Sequence, residues 1–293
     1  MSNGYLKIGS SSIICGKNHY NKFIAPQKSK LLKITKITES HNEFKYLDEV
    51  RTINNYKKYY TIPDETCFLL QPSDEFYNYI ETLVLIRNIN IFGNTLNCYL
   101  IDYAGDKDLH NTIVDLNEKT PFLYWKSYSQ ILHFCKKILK AINFLHQKKI
   151  CHLDIKAENI IVNTTFKTYK IIDFGFASKE PFDDYIENIR GTPCYFPKQF
   201  DIEDIKPWFP KIEANDIEGE IPMRSNRDLV YKIDTYCFGR VMYLLKYIFN
   251  ENTSYWCFSH KNEENKLNKI IEDLLENDVY TRLKINEILL KYY

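Results

Sequence analysis

The sequence predicts an α+β protein with a small strand-rich lobe followed by a larger helix-rich lobe. Two observations lead to this fold class. The first hundred residues contain mainly short apolar or alternating runs, which are typical of strands. After about residue 105, apolar residues recur at helical spacing over much longer stretches. With 293 residues, of which 44% are hydrophobic, the chain is long enough for two lobes with a substantial core.

The strands of the small lobe are predicted from five short runs, at residues 5–8, 12–15, 31–34, 67–70 and 96–101. Each run is apolar or alternates between apolar and polar side chains, as expected for a strand with a buried face. A helix is predicted over 42–53, because apolar residues recur there at spacings of three. Ser40 followed by Glu43 resembles a capping box at the start of this helix.

The helices of the larger lobe begin with a strong apolar stripe over residues 127–148. Two short strands are predicted after it, at 160–162 and 170–172, and further helices at 234–249, 266–275 and 285–292. Residues 200–232 contain three prolines and no regular pattern, so we expect a long irregular insert there.

Charge and cysteine usage argue against several classes of function. The 39 basic and 38 acidic side chains give a net charge of +1, which does not favour binding to nucleic acid or anionic lipid through bulk charge. The eight cysteines contain no C-x-x-C pair, as expected for free thiols in a reducing compartment rather than disulfides or a zinc site. No segment has the apolar length of a signal peptide core or a membrane span. We therefore expect a soluble intracellular protein.

One part of the sequence combines the groups needed for phosphoryl transfer. Residues 151–159 read CHLDIKAEN, and the tripeptide DFG at 173–175 begins fourteen residues after Asn159. Transfer of phosphate from ATP to a hydroxyl needs a carboxylate to accept the proton, oxygen ligands for Mg²⁺ and a fixed positive charge near the phosphate. Asp154, the pair Asn159 and Asp173, and Lys156 supply these three functions in that order.

These residues resemble the catalytic loop and the magnesium-binding D-F-G of eukaryotic-type protein kinases. Further segments follow in the family's order. The resemblance implies that Lys33, in the strand at 31–34, holds the α- and β-phosphates, and that the hinge at 102–105, with Asp102 and Ala104, receives the adenine through backbone groups. The remaining matches are the end of the activation segment at 191–195, a helix start at 234–239 whose aspartate braces the catalytic loop, and the late Asp278-to-Arg282 motif.

The glycine-rich loop of the family is degraded in this chain. Residues 8–16 align on it without gaps but keep only the first of its three glycines, with Ile14 at the third. The candidate nucleotide-binding residues of this loop are Ile8, Gly9, Ser11 and Gly16. Serines there offer backbone N–H groups and hydroxyls to phosphate. The alternative is a plain β-hairpin that only covers the site.

Three other positions depart from the family pattern or leave a choice open. The partner of Lys33 is either Glu43, which we favour, or Glu49, since both lie at plausible separations. Leu153 replaces the arginine that usually receives an activation-loop phosphate. Gln199 replaces the glutamate of the closing Ala-Pro-Glu, so that a neutral hydrogen bond to Arg282 is expected in place of an ion pair.

The resemblance implies a single protein kinase domain over 1–293, with an N-lobe at 1–101, a hinge at 102–105 and a C-lobe at 106–293. Lys156, two residues after Asp154, and Thr192 resemble the serine/threonine class, so the implied partners are ATP, Mg²⁺ and a protein substrate with a Ser or Thr acceptor. No nucleic-acid or membrane partner is implied, and we expect a monomer in the cytoplasm. The abundance of Ile, Asn and Lys indicates an AT-rich genome, which favours a large DNA virus or an AT-rich protist as the source. If the source is viral, the expected location is the cytoplasm of the host cell. A pseudokinase that binds or scaffolds without turnover is the alternative.

Overall fold

The computed structural model describes residues 6–8, 12–16, 30–36, 44–63, 96–105, 107–117, 125–163, 167–183, 188–189, 191–196, 212–213, 226–253 and 261–293. The chain divides into two compact units. The first contains Met1–Asp48 and Thr61–Ala104, and the second contains Glu49–Tyr60 and Gly105–Tyr293.

The first unit contains an antiparallel sheet in the order β1–β2–β3–β4. Its strands are β1 (Leu6–Ile8), β2 (Ser12–Cys15), β3 (Lys30–Lys36) and β4 (Leu96–Asp102). Leu32 and Ile34 of β3 are fully buried, which explains why this run is apolar. Four of the five predicted strands are therefore present, whereas the run at 67–70 lies outside the described residues.

Within the described residues, the helix predicted over 42–53 is interrupted, because residue 44 is helical but residues 45 and 46 form a turn. Helix α1 covers only Leu47–Arg51, with residues 42 and 43 outside the described part of the chain. Beyond α1, the N–H groups of Thr52 and Ile53 donate to carbonyls three residues back, and Asn55 has a left-handed φ of 57°. These features replace the α-helical ladder with turns and a short 3₁₀ helix at Tyr56–Lys58.

The second unit begins with β5 (Lys107–Asp108) and helix α2 (Leu109–Asn117), which the sequence did not predict. Asp108 stabilises the start of α2, because its carboxylate accepts the N–H of Asn111 at 2.7 Å. Helix α3 (Tyr128–Gln147) confirms the strongest helical prediction to within one residue at each end. The hydroxyl of Ser127 caps it by accepting the N–H of Gln130.

Short strands beyond α3 position the loops that carry the predicted chemistry. They are β6 (Ile150–Cys151), β7 (Ile160–Asn163), β8 (Thr168–Ile171) and β9 (Ser178–Lys179). All pairings are antiparallel: β7 lies between β5 and β8, and β6 pairs with β9. A further two-stranded pair joins β10 (Asn188–Ile189) to β11 (Ile212–Glu213).

Three helices complete the described part of the second unit: α4 (Tyr231–Thr253), α5 (Lys261–Leu274) and α6 (Ile285–Tyr292). They confirm the predicted helices, although α5 begins five residues and α4 three residues earlier than expected. A 3₁₀ turn at Arg227–Val230 leads into α4, so the end of the expected irregular insert at 200–232 is already helical. Among the described residues, no helix has the length and apolar character needed to cross a membrane.

Candidate active site

The loop between β6 and β7 carries Asp154, Lys156 and Asn159. The loop begins after β6, both residues of which are buried. It ends with a 3₁₀ helix at Ala157–Asn159 that leads directly into β7. Both ends of the loop are thus held by short sheet pairings. The Asp154 side chain is only 6% exposed, so its carboxylate depends on protein donors for solvation.

Three side chains supply those donors. The ammonium group of Lys156 lies 2.8 Å from Oδ2 of Asp154, and the amide of Asn159 donates to the same oxygen at 2.8 Å. The hydroxyl of Thr192 donates to Oδ1 at 2.6 Å and accepts from Lys156 at 2.9 Å. The contact of Thr192 with both Asp154 and Lys156 agrees with its expected place at the end of the activation segment.

Gly191 explains how Thr192 comes so close to the loop. Its φ is +148°, a conformation that other residues rarely adopt. A Cβ atom at this position would overlap the ring of Phe196 and lie 2.9 Å from the carbonyl oxygen of Leu153. Only glycine therefore allows this backbone approach.

Asp173 lies at the end of β8, next to the catalytic loop. The N–H of Ile172 donates to the carbonyl of Asn159 at 3.0 Å, so the structure brings the two predicted metal ligands to the same end of the β7–β8 pair. Asp173 has a left-handed φ of 67°, and its Oδ1 accepts the N–H of Gly175 at 3.3 Å. Phe174 is buried and packs against the His152 ring, with 5.1 Å between the centroids.

Asp234 holds the backbone of the catalytic loop. Its buried carboxylate accepts the N–H groups of His152 and Leu153, each at 2.8 Å, which confirms the bracing role implied by the resemblance. A third contact comes from Nε2 of His146, at 2.9 Å. Burial raises the pKa of Asp234, but the hydrogen bonds and positive charge of the surrounding histidines and backbone outweigh burial, and the net pKa is lowered.

Sequence reasoning assigned no specific role to His146. It lies in the last turn of α3, where its ring also packs against Tyr231 at 5.0 Å. Together with Cys151 and Asp234 it offers three metal-ligating atoms within 4.8 Å of one another. Burial and the charge of Asp234 raise the pKa of the Cys151 thiol, however, which disfavours the thiolate that a metal would need. We interpret this cluster as structural support for the loop.

Among the candidate nucleotide-binding residues of the first unit, Lys33 is the best defined. It lies in the middle of β3, is 7% exposed, and is paired with Ile14 of β2 and Tyr99 of β4. Ile8 ends β1, which forms an antiparallel hairpin with β2, and Gly16 follows β2. Gly9 and Ser11 lie outside the described residues, so both interpretations of this loop stay open.

The two residues expected at the hinge both lie in the described part of the chain. Asp102 is the last residue of β4, and Ala104 is buried two residues later.

The two candidate partners of Lys33 differ in what the structure describes. Glu43 lies outside the described residues. Glu49 lies in α1 and forms an ion pair with Lys179 of β9.

Arg282 is a further residue for which a partner was predicted. The residue is 1% exposed, and its guanidinium donates to the carbonyls of Glu276 and Asn277, at 2.7 and 3.1 Å. It also lies over the ring of Tyr236, 4.7 Å from the centroid. Gln199, the expected hydrogen-bond partner, lies outside the described residues, and that contact stays a prediction.

Comparisons with known proteins agree with this arrangement. The family profile described as "Protein kinase domain" matches residues 9–200. Myosin light chain kinase 3 of Danio rerio is 31% identical over 132 residues, which cover 42% of this chain and 18% of that protein. The probable serine/threonine-protein kinase fhkB of Dictyostelium discoideum is 31% identical over 119 residues, which cover 38% of this chain and 9% of that protein. The matched segments thus span less than a fifth of these curated relatives.

A solved structure extends the similarity to nearly the whole chain. The Cydia pomonella granulovirus kinase PK-1 superposes with a TM-score of 0.58 and 16% sequence identity. The superposition covers 98% of this chain and 91% of that one.

Proposed function

The chain belongs to the protein kinase domain family, and on that premise we propose that it transfers the γ-phosphoryl group of ATP to Ser and Thr hydroxyls of protein substrates. Its α+β protein kinase fold, predicted from the sequence, is confirmed by the structural match. The observation that carries the proposed activity is the convergence of Lys156, Asn159 and Thr192 on the carboxylate of Asp154.

Asp154 is the proposed acceptor of the substrate hydroxyl proton. An ionised carboxylate has about four acceptor sites on its two oxygens. Lys156 and Asn159 occupy those of Oδ2, and Thr192 occupies one on Oδ1. One acceptor site on Oδ1 therefore remains for the substrate hydroxyl, and the three donors fix the orientation of the carboxylate.

Lys156 is the proposed source of fixed positive charge at the transferring phosphate. An ammonium group has three donors. Two of them are used by Asp154 and Thr192, which leaves one for a phosphate oxygen. Because the same lysine is anchored to the proton acceptor, it would hold the phosphate close to the hydroxyl that attacks it.

The donor set of Asn159 and Asp173 fits Mg²⁺. The amide nitrogen of Asn159 is engaged by Asp154, which leaves its side-chain oxygen as the group available to a cation. Asp173 supplies a carboxylate from the neighbouring strand end. When bound, Mg²⁺ would neutralise charge on the β- and γ-phosphates.

The remaining assignments follow the family resemblance. We propose that Lys33, paired with Glu43, holds the α- and β-phosphates. Ile8, Gly9, Ser11 and Gly16 would cover the phosphates, and the backbone at Asp102 and Ala104 would receive the adenine. Buried free thiols at Cys135, Cys151 and Cys237 support a reducing compartment such as the cytoplasm, and we propose that the active form is a monomer.

The test is incubation of the purified chain with labelled ATP, Mg²⁺ and generic acidic and basic protein substrates. Incorporation of label on serine or threonine is expected, and the Asp173→Ala variant should abolish it, which excludes a contaminating kinase. If wild-type protein binds ATP but incorporates no label, the pseudokinase alternative is correct and the proposed activity is wrong.

A further inference from the structure

The solvent-facing side of α3 carries basic side chains and no carboxylate. The helix contains no Asp or Glu along its 20 residues. His133, Lys136, Lys137 and Lys140 lie at spacings of three or four, so they share one face of the helix. His133 and Lys140 are exposed, and the other two are partly exposed.

Carboxylates do not neutralise this face within the described part of the chain. None of the three lysines has an ion pair there, whereas Lys149 and Lys179 pair with Glu180 and Glu49. Partial burial, followed by the charges of Lys137 and Lys136, lowers the pKa of the His133 ring. A row of unneutralised lysines raises the local concentration of anionic groups.

Basic side chains continue beyond both ends of this row. At one end, Phe144 follows Lys140 by one helical turn and packs against Tyr59 with 5.0 Å between the centroids. Lys58 lies over that Tyr59 ring at 5.8 Å. At the other end, Lys167 shares a cavity with His133. We define the α3 basic face by six residues: Lys58, His133, Lys136, Lys137, Lys140 and Lys167.

The cavity at the end of this face has a volume of about 290 Å³. Its lining residues are Trp125, Ser129, Gln130, His133, Lys167 and Tyr169. Trp125 and Tyr169 are buried and both pack edge-on against Phe134, so the floor of the cavity is fixed by aromatic contacts. The volume lies just below the range of about 300–1,000 Å³ that is usual for small-molecule pockets, so the cavity can hold one side chain but not a large cofactor.

We propose that the α3 basic face binds a carboxylate-rich peptide segment of a partner protein, with one apolar side chain of that segment seated in the cavity. Each carboxylate of such a segment can form an ion pair with one lysine ammonium group of the row. The side chain seated in the cavity would fix the position of the segment along α3. None of the six residues belongs to the candidate active site, so this proposal stands independently of the proposed reaction.

The composition of the face favours a peptide over nucleic acid. Five of its six residues are lysines and none is an arginine, whereas the planar guanidinium of arginine is the usual group for bidentate phosphate recognition. The rings of Trp125 and Tyr169 are at most 7% exposed and do not offer surfaces on which bases stack. The whole-chain charge of +1 also provides little of the long-range attraction on which phosphate binding depends.

The experiment measures binding of a labelled peptide to the purified full-length chain by fluorescence anisotropy. The probe alternates glutamate and aspartate around one central phenylalanine. The variant Lys137→Glu with Lys140→Glu should weaken binding at least about tenfold, because it places like charges opposite each other. The matched control, Lys261→Glu with Lys269→Glu, makes the same change in net charge on exposed positions of α5 and should leave affinity within about twofold.

Two further measurements separate the parts of the proposal. A probe with serine in place of phenylalanine should bind more weakly if the cavity is used. Phosphorylation of a generic basic substrate should be the same for the wild type and both double variants, and matching melting temperatures would show that the variants are folded. Equal affinity of both double variants for the peptide would overturn the proposal. Tighter binding to single-stranded RNA or to anionic phosphatidylserine vesicles than to the peptide would also overturn it.

Discussion

Glu49 forms an ion pair with Lys179, with 2.7 Å between the carboxylate oxygen and the ammonium nitrogen. The pair joins helix α1 to strand β9, in which Lys179 lies four residues after Gly175. Both side chains are about one-third exposed, at 35% and 37%, so the pair contributes at most about 1 kcal/mol. Glu49 thus has a partner among the described residues, and the pairing of Lys33 with Glu43 stays a prediction.

The first prediction compares these two glutamates. Glu43→Gln should lower turnover about 10²-fold, because the lysine that holds the phosphates loses the group that positions it. Glu49→Gln should lower turnover less than about fivefold, the equivalent of the surface ion pair it removes. Steady-state phosphorylation of a generic substrate measures both, and Lys179→Met serves as the control for loss of the same ion pair. The reverse ranking would assign the role to Glu49.

The second prediction concerns the proton acceptor. Asp154→Asn should lower turnover by about 10²–10⁴-fold, since an amide cannot accept the hydroxyl proton. ATP binding should persist, because Asp154 is not among the residues proposed to hold the nucleotide. Titration with a fluorescent ATP analogue measures the second effect, with Asp173→Ala as the contrasting variant that should weaken Mg²⁺-dependent binding.

The interpretation of this variant depends on folding. The new amide nitrogen would face donors from Lys156, Asn159 or Thr192, so some loss of stability is expected. A melting curve therefore accompanies the assay. Turnover close to that of the wild type in folded Asp154→Asn protein would contradict the assignment.

Short-range patterns in the sequence predicted that one loop presents Asp154, Lys156 and Asn159, and the structure brings these side chains together, whereas their roles in the reaction stay proposals. Asp154, Lys156 and Asn159 lie within six positions of one another, so their convergence depends on a single loop. Helix α3 was equally predictable, since a long apolar stripe determines which face of a helix is buried.

Contacts between distant positions were not predictable in the same way. His146 and Asp234 are 88 positions apart, and Glu49 and Lys179 are 130 apart. The packing of helices and loops determines which of several histidines or glutamates contacts a given partner. Spacing along the sequence does not indicate that packing. Helix α2 was missed for a different reason: the cap formed by Asp108 at its start is a local signal that the prediction did not use.

The third prediction concerns the support of the catalytic loop by Asp234. Asp234→Asn should destabilise the protein by about 2–3 kcal/mol, because one acceptor of buried N–H groups becomes a donor. The lowered pKa means that the ionised form of Asp234 stabilises the folded state. Its contribution is fully present above the unfolded-state pKa, about 3.9, and is lost as pH falls through the lower folded-state pKa.

The measurement is the difference in free energy of unfolding between wild type and Asp234→Asn across pH. This difference should be constant between about pH 7 and pH 5 and should shrink below about pH 4. His146→Gln serves as a matched variant that retains a hydrogen-bond donor but has no ionisable ring, and it should show a smaller loss. A difference that grows on acidification would contradict the assigned direction of the pKa shift.

The last prediction is that the enzyme works without phosphorylation of its activation segment. Kinases with arginine before the catalytic aspartate place a positive charge there that a loop phosphate pairs with. Here Leu153 is fully buried and uncharged, and its N–H is already held by Asp234. Residue 153 therefore carries no positive charge that phosphate oxygens would neutralise.

Three hydroxyls of the segment agree with this expectation. Ser178 is fully buried in β9, and the Thr192 hydroxyl is engaged by Asp154 and Lys156. Tyr185 lies outside the described residues, and the acidic pair Asp183-Asp184 before it makes a phosphate there electrostatically unfavourable. Protein made in bacteria and treated with phosphatase should thus keep most of its activity, with mass spectrometry confirming that the phosphate is gone. If activity vanishes on dephosphorylation and returns with one modified residue, another basic side chain, such as Lys179 or Arg190, must take the place of the missing arginine.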